Sequence, residues 1–293
     1  MDSVIWRGMT RAELDAAYNN SAAVRNSAEK LADWSDRSAK TRSRSGALLD
    51  LAYGPRPRNR IDIFPCGRAR APLFAFIHGG YWQRNSKDMF ACMAEGALAN
   101  GFDAALIGYT LAPVATLSEI VDEVSTALRW LRAEGRGFGI PAEKIVLSGW
   151  SAGGHLTAMS LAEADAGLAI SGIFDLEPCR LNYLNEKLKL TLDEQIALSP
   201  IRRRPLSRAP LIIAFGTGEL PELQRQSRDY HAVRSGTKLP SEQLPLIGHD
   251  HFSILEELAN PDGKLTACLL RLLDQARAKS SRRYKSITSV PEG

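Results

Sequence analysis

A serine lies in a glycine-flanked pentapeptide that is typical of a reactive nucleophile. Residues 149–153 read Gly-Trp-Ser-Ala-Gly, with Ser151 at the centre. A strand is predicted over Lys144–Leu147 and a helix over Ala152–Ala164, so Ser151 falls on a sharp strand-to-helix turn that exposes its hydroxyl. The positive end of the following helix would favour negative charge that develops nearby. This pattern predicts acyl transfer through a covalent serine intermediate.

A second glycine-rich segment, His78-Gly79-Gly80-Tyr81-Trp82, follows a strand predicted over Leu73–Ile77. Glycine lets the backbone approach a substrate closely, and such a segment after a strand supplies N–H groups to an oxyanion hole. Removing one oxyanion donor typically costs about 3 kcal/mol of transition-state stabilisation. His78 itself is expected to fix the loop by hydrogen bonding. The predicted oxyanion donors are the backbone amides of Gly80, Tyr81 and Ala152.

A serine nucleophile needs a histidine base, and the histidine needs a carboxylate that orients it. Where the serine lies on a turn between a strand and a helix, the acid follows the serine in the sequence and the histidine follows the acid. The segment Gly248-His249-Asp250-His251 lies between the last predicted strand and a helix, where the base is expected. Position favours His251 over His249. Of the other histidines after the serine, His155 is expected in the core and His231 at the surface.

The orienting acid is expected after the next-to-last strand, predicted over Leu211–Phe215. Glu219 is the first carboxylate beyond it and is the favoured acid. Asp175, at the end of the preceding strand, is the alternative, and Asp250 is interpreted as a helix cap. The His-x-His pair could bind a metal, but HExxH and a partnering acidic cluster are absent from the sequence, so neither metal nor other cofactor is predicted.

The elements that position these residues alternate between strands and helices from residue 72 onward. Such alternation predicts an α/β fold with a mostly parallel sheet and helices on both faces, with the chemistry at the carboxyl ends of the strands. One domain is predicted over residues 1–276. It includes a helical extension over 10–45 and an inserted, cap-like segment over 174–210 beside the site.

Composition and charge exclude several classes of protein. The chain has 293 residues, of which 44% are hydrophobic, so a disordered chain is excluded. Residues 277–293 carry five basic residues and one acidic residue, which accounts for the whole net charge of +4. This segment is predicted to be a disordered tail, and the balanced body gives no reason to expect nucleic acid or membrane as a partner. Four dispersed cysteines predict a cytoplasmic protein. A homo-oligomer is left open.

Taken together, these segments resemble the kynurenine formamidase (arylformamidase) family of the α/β-hydrolase superfamily. The family's HGGxW oxyanion motif is similar to residues 78–82, and its serine motif is similar to Gly-Trp-Ser-Ala-Gly-Gly at 149–154. Its acid segment resembles residues 219–223, and its Asp-His-Phe motif resembles residues 250–252. The resemblance extends over about residues 12–275. The chain departs from the family pattern at Glu219, where the family usually has Asp.

The resemblance implies that Ser151 is the nucleophile, His251 the base and Glu219 the acid. It also implies a small aromatic substrate, N-formyl-L-kynurenine or a similar aryl formamide. Trp82 and Trp150 could pack against its ring, although buried aromatic side chains near a site are more often structural. The alternatives are a carboxylesterase or amidase acting on another small aromatic substrate, and a non-catalytic ligand-binding protein of the same fold.

Overall fold

A computed structural model describes residues 3–205 and 207–288, with side chains described up to residue 278. The end of the predicted tail, 289–293, lies outside the described residues, as does Leu206 of the predicted inserted segment. No helix within the described part of the chain is both long and apolar enough to cross a membrane.

Eight strands form a single sheet in the order β1-β2-β4-β3-β5-β6-β7-β8. Their bounds are β1 Leu48–Ala52, β2 Arg60–Phe64, β3 Leu73–Ile77, β4 Asp103–Ile107, β5 Ile145–Trp150, β6 Ala166–Ile170, β7 Leu211–Gly216 and β8 Ser241–Leu246. β2 pairs antiparallel with β1 and β4, and the remaining neighbours are parallel. The mostly parallel sheet predicted from the alternating pattern is confirmed.

The helices cover both faces of this sheet. Their bounds are α1 Arg11–Ala17, α2 Asn20–Ala23, α3 Ser27–Arg42, α4 Glu95–Ala99, α5 Leu117–Glu134, α6 Ala152–Met159, α7 Glu177–Leu181, α8 Asn185–Leu188, α9 Leu192–Leu198, α10 Pro221–Gly236, α11 Glu256–Ala259 and α12 Lys264–Thr288. Short 3-10 turns lie at Lys87–Ala94, Gly135–Phe138, Leu161–Glu163, Pro200–Arg202 and Ser253–Leu255.

Alternate residues of the central strands enter two separate cores, as expected for side chains that point to opposite faces of a sheet. In β3, Leu73 and Ile77 pack on one face with residues of α5, whereas Phe74 and Phe76 pack on the other with residues of α3 and α12. β3 is buried at all five positions. Burial on both faces explains why its sequence is a continuous apolar run instead of an alternating one.

Several predicted boundaries differ from the structure. The predicted helix over 87–100 is a 3-10 turn followed by α4, and the helix after Ser151 ends at Met159 instead of Ala164. The extension over 10–45 contains three helices instead of two, with a capping box at Thr10 and Glu13 as predicted. The last helix continues to Thr288, although a disordered tail is predicted from residue 277.

Candidate active site

Ser151 lies on a strained turn between β5 and α6. Its φ of 58° is unfavourable for a residue with a side chain, and its backbone N–H donates to the Ile170 carbonyl at 2.8 Å, which holds the turn against β6. A Cβ on Gly153 would overlap the Ile77 carbonyl of β3, so only glycine lets α6 start this close to the sheet. Strain of this kind persists where surrounding contacts enforce it, as at many active sites.

Glu219 and His251 form a buried pair beyond the ends of β7 and β8. Glu219 Oε2 lies 3.1 Å from His251 Nδ1, and both side chains are almost fully buried. Glu219 Oε1 accepts hydrogen bonds from the Gly216 backbone N–H and the Ser171 hydroxyl, each at 2.6 Å. With Oε1 engaged by these two donors, Oε2 is left to accept from His251, which favours the tautomer with its proton on Nδ1.

The alternative acids and base are engaged elsewhere. Asp175 Oδ1 accepts from the Glu177 backbone N–H at 3.3 Å and from Arg202 Nε at 3.2 Å. Asp250 Oδ1 accepts from two backbone N–H groups that follow it, so the predicted cap is confirmed. His249 contacts the Ser253 carbonyl and lies 3.4 Å from Glu257. The structure therefore brings His251, and not His249, to Glu219.

Backbone bonds and one indole fix the loops that carry this pair. The Gly218 N–H donates to the His249 carbonyl at 2.9 Å, and the Gly248 N–H donates to the Thr217 hydroxyl at 3.0 Å. Trp150 Nε1 donates to the His251 carbonyl at 2.8 Å, and the two rings lie 4.9 Å apart. Trp150, predicted as a pocket residue, thus also positions the histidine.

The three predicted oxyanion donors lie next to Ser151. Among the described residues, the N–H groups of Gly80, Tyr81 and Ala152 donate no hydrogen bond. Gly80 and Tyr81 both have positive φ, 117° and 52°, and a Cβ on Gly80 would overlap the Arg84 carbonyl. Ala152 is the first residue of α6, where a helix leaves its N–H groups unpaired. Unpaired N–H groups are what an oxyanion hole requires.

Ser151 and His251 line one small cavity of about 40 Å³, together with Gly80, Tyr81 and Trp150. The N-terminal extension and the loop after β3 supply most of the remaining lining. The other residues that line it are Asn20, Ser21, Leu31, Arg84, Asn85 and Phe252. Sequence reasoning identified the extension but not its contribution to the site, because its polar side chains carry no motif.

Trp82, also predicted as a pocket residue, does not line this cavity. Its side chain is fully buried and packs edge-on against His155 at 5.0 Å. His155 Nε2 contacts the Leu198 carbonyl, and burial lowers the pKa of this core histidine to about 4. His155 is therefore neutral and structural at neutral pH, as expected.

His78 also has the structural position predicted for it. Its Nδ1 contacts the Gly79 carbonyl at 2.8 Å, and its ring stacks on Tyr109 at 4.3 Å. Burial lowers the pKa of His78 to about 3, so this histidine stays neutral while it holds the oxyanion loop. His231 is half-buried on α10 and contacts Ser241.

Three carboxylates away from the cavity lie close enough to share a cation: Asp50, Asp62 and Asp88. The ammonium of Lys87 lies 2.7 Å from an oxygen of each of them. Arg42 also contacts all three. These two side chains already supply the positive charge that the cluster needs.

Comparisons with known proteins identify relatives along most of the chain. The BD-FAE family model matches residues 61–179. The kynurenine formamidase of Salmo salar is 28% identical over 92% of this chain and 99% of its own length. A candidate thioesterase from a Silicibacter species is 31% identical, with a TM-score of 0.80 over 87% of this chain and 98% of that one. Esterase B of Lactobacillus rhamnosis, 16% identical, shares the fold with a TM-score of 0.71 over 94% of this chain and 97% of its own.

These relatives agree with the architecture. By their names they are a kynurenine formamidase, a candidate thioesterase and an esterase, and the two solved structures share the fold of this chain. The resemblance read from residues 78–82 and 149–154 therefore extends over nearly the whole chain. The protein belongs to the α/β-hydrolase superfamily and is a hydrolase similar to the kynurenine formamidases.

Proposed function

We propose that this hydrolase is an arylformamidase, which removes a formyl group from N-formyl-L-kynurenine or a similar aryl formamide. The observation that carries the proposal is the convergence on one small cavity of Ser151, the Glu219–His251 pair and the unpaired Gly80 and Tyr81 amides. The similarity to kynurenine formamidases along 92% of the chain supports the choice of substrate.

In the proposed first step, His251 Nε2 takes the Ser151 proton while Oγ attacks the formyl carbonyl carbon. Negative charge moves to the carbonyl oxygen, where the amides of Gly80, Tyr81 and Ala152 would stabilise it. The C–N bond then breaks, and His251 returns its proton to the departing aromatic amine. Glu219 holds the histidine and stabilises its cation while it carries the proton.

In the second step, water attacks the formyl-serine ester. His251 accepts a proton from that water, the same amides would stabilise the second oxyanion, and formic acid leaves as His251 returns the proton to Ser151 Oγ. Atoms balance as one amide and one water giving one amine and one formic acid, which then ionises to formate and a proton. In both steps of this reaction, His251 is the group that accepts the proton and returns it.

The size of the cavity supports a small acyl group. The cavity of about 40 Å³ at Ser151 is about three times the space that one water needs. Formyl is the smallest acyl group, so it suits this space better than a long acyl chain does. This argument favours formyl and acetyl donors over long-chain esters.

The proposal is tested by comparing kcat/KM on N-formyl-L-kynurenine and p-nitrophenyl acetate for the wild type, Ser151→Ala and a matched control, Ser235→Ala. Ser235 is exposed on α10, and within the described residues its hydroxyl contacts only His231. We expect Ser151→Ala to lose both activities and Ser235→Ala to keep them. A sulfonyl fluoride should label Ser151, as mass spectrometry of the peptide would detect.

A second function, a carboxylesterase for small aryl esters, is favoured by the esterase relatives. A wild-type enzyme that cleaves p-nitrophenyl acetate efficiently and leaves the formamide intact would select this function. A Ser151→Ala variant with wild-type rates on both substrates would refute both candidates.

We also propose that the enzyme acts in the cytoplasm. Its four cysteines are unpaired, and three of them are buried in the core. Free thiols of this kind are typical of a reducing compartment.

A further inference from the structure

The side chain of Tyr81 ties the oxyanion loop, residues 78–82, to the N-terminal extension. Tyr81 is 3% exposed, and its hydroxyl donates to the Tyr18 carbonyl at 2.6 Å, where α1 ends. Because its one proton is committed to that carbonyl, the hydroxyl accepts from Asn20 Nδ2, at the start of α2, at 2.9 Å. The hydroxyl has no proton left to donate to a substrate, so its role lies in holding the loop.

The part of the extension that receives Tyr81 is itself fixed. Tyr18 is fully buried, and its own hydroxyl accepts from Gln226 Nε2 of α10 at 2.6 Å. Gln226 Oε1 accepts in turn from the backbone N–H groups of Phe174 and Asp175, at 2.7 and 2.9 Å. The Tyr18 carbonyl is therefore anchored to α10 and to the loop after β6, and it gives the Tyr81 hydroxyl a rigid acceptor.

The backbone of the oxyanion loop needs such support. Tyr81 and Trp82 have φ of 52° and 59°, so two successive residues with side chains adopt a left-handed conformation that sterics disfavour. Surrounding contacts must enforce a conformation of this kind. One such contact is the hydrogen bond from the Ala112 N–H to the Trp82 carbonyl at 2.8 Å, and the hydroxyl of Tyr81 supplies two more. The same conformation sets the direction of the Tyr81 N–H, a proposed oxyanion donor.

We propose that the Tyr81 side chain and Asn20 are positioning groups for the oxyanion hole. The extension holds the Tyr81 hydroxyl and thereby aims the Tyr81 N–H at the carbonyl oxygen of the substrate. This inference rests on the proposed serine mechanism and applies to formamides and esters alike, because both pass through an oxyanion. A catalytic group misplaced by about 1 Å can cost about a hundred-fold in rate, so the extension contributes to catalysis without supplying a reacting group.

Tyr53 offers a matched control for Tyr81. Its hydroxyl also donates to a backbone carbonyl, that of Gly108 at 2.7 Å, and accepts from an asparagine amide, that of Asn59 at 3.3 Å. Tyr53 is buried and does not line the cavity that contains Ser151. Tyr81→Phe and Tyr53→Phe therefore remove the same kinds of hydrogen bond, but only Tyr81→Phe removes them from the oxyanion loop.

The test combines steady-state kinetics on N-formyl-L-kynurenine and p-nitrophenyl acetate with urea unfolding and inhibition by phenylboronic acid. We expect Tyr81→Phe to lower kcat about ten- to a hundred-fold on both substrates, with KM little changed. A boronic acid forms a tetrahedral adduct with a reactive serine and places an oxygen in the oxyanion hole, so its affinity should fall by a similar factor. Tyr53→Phe should destabilise the fold comparably and keep the wild-type kcat and inhibitor affinity.

A double variant tests whether Asn20 acts through Tyr81. Asn20→Ala removes one of the two partners of the hydroxyl and should lower kcat about five-fold. Added to Tyr81→Phe, it should lower kcat no further, because the hydroxyl through which it acts is already gone. Factors that multiply in the double variant would show two independent effects and would contradict the proposed route.

The inference is overturned if Tyr81→Phe keeps the wild-type kcat and boronate affinity, or if Tyr53→Phe lowers them as much, since the loss would then follow stability alone. Failure of the proposed arylformamidase function looks different: the wild type would leave the formamide intact and cleave p-nitrophenyl acetate. The ester kinetics and the boronate affinity then decide the role of Tyr81 and Asn20 by the same criteria.

Discussion

The substitution Glu219→Gln changes one acceptor into a donor without changing the size of the side chain. Glu219 Oε1 accepts from Gly216 N–H and from Ser171, and the other oxygen faces His251 Nδ1 at 3.1 Å. Because a backbone N–H can only donate, the glutamine oxygen must stay on Gly216. Its new NH₂ group then faces Nδ1, which must become an acceptor. The ring proton of His251 therefore moves to Nε2.

A histidine protonated at Nε2 cannot take a proton from Ser151. In a serine protease, the equivalent exchange of acid for amide lowers kcat about 10⁴-fold by imposing the wrong tautomer. At 1.36 kcal/mol for each factor of ten, this corresponds to a barrier about 5 kcal/mol higher. We expect a loss of this order in kcat for Glu219→Gln, with KM and thermal stability little changed, because the three hydrogen bonds around the side chain are kept.

The assay is steady-state hydrolysis of N-formyl-L-kynurenine and p-nitrophenyl acetate, with thermal unfolding as the check on folding. Asp175→Asn is the matched control, since Asp175 contacts Arg202 and not His251, and we expect less than about a ten-fold change from it. Nitrogen-15 NMR of His251 reports the tautomer directly. Activity of Glu219→Gln within ten-fold of the wild type, or an Nδ1–H signal in that variant, would refute the reasoning.

Three further predictions concern positioning and stability. Trp150→Phe removes the hydrogen bond to the His251 carbonyl, so kcat should fall on both substrates while the unfolding free energy drops by about 1 kcal/mol in urea. Lys87→Met leaves the fully buried Asp62 short of a cation and should lower the urea unfolding free energy by about 3 kcal/mol. Burial lowers the pKa of His155 to about 4, so below pH 6.5 the unfolded chain binds a proton that the folded chain excludes. The contribution of His155 to the unfolding free energy is therefore fully present above pH 6.5 and declines as the pH falls towards 4. His155→Gln should flatten that decline in urea titrations.

The features that sequence reasoning located are those encoded within a few residues of chain. A strand, a glycine-flanked serine and a helix follow one another over 145–159, and the turn geometry depends only on these neighbours. The loop that carries His251 is predicted in the same way. It follows the last strand, so its histidine must lie at the carboxyl ends of the strands, where the site is expected. Local order therefore predicted the side chains that the structure brings together around Glu219.

The features it missed depend on contacts between distant segments. Trp82 and Trp150 both lie within the glycine-rich motifs, yet of these two only Trp150 lines the cavity, whereas the ring of Trp82 packs against His155. No local pattern distinguishes the two indoles. α12 likewise continues to Thr288, through part of the segment from residue 277 whose charge predicts a disordered tail.

The N-terminal extension shows what such long-range packing contributes to the site. Trp34 of α3 donates to Glu256, 222 residues away, and so fixes the extension on the body of the protein. With α3 held there, Asn20 donates to the Tyr81 hydroxyl across 61 residues, and both residues line the cavity. The strands and turns that carry the proposed chemistry are thus common to the fold, whereas one wall of the cavity belongs to a segment outside the sheet. Selection among substrates can therefore change through residues of the extension without any change at Ser151, Glu219 or the strands that hold them.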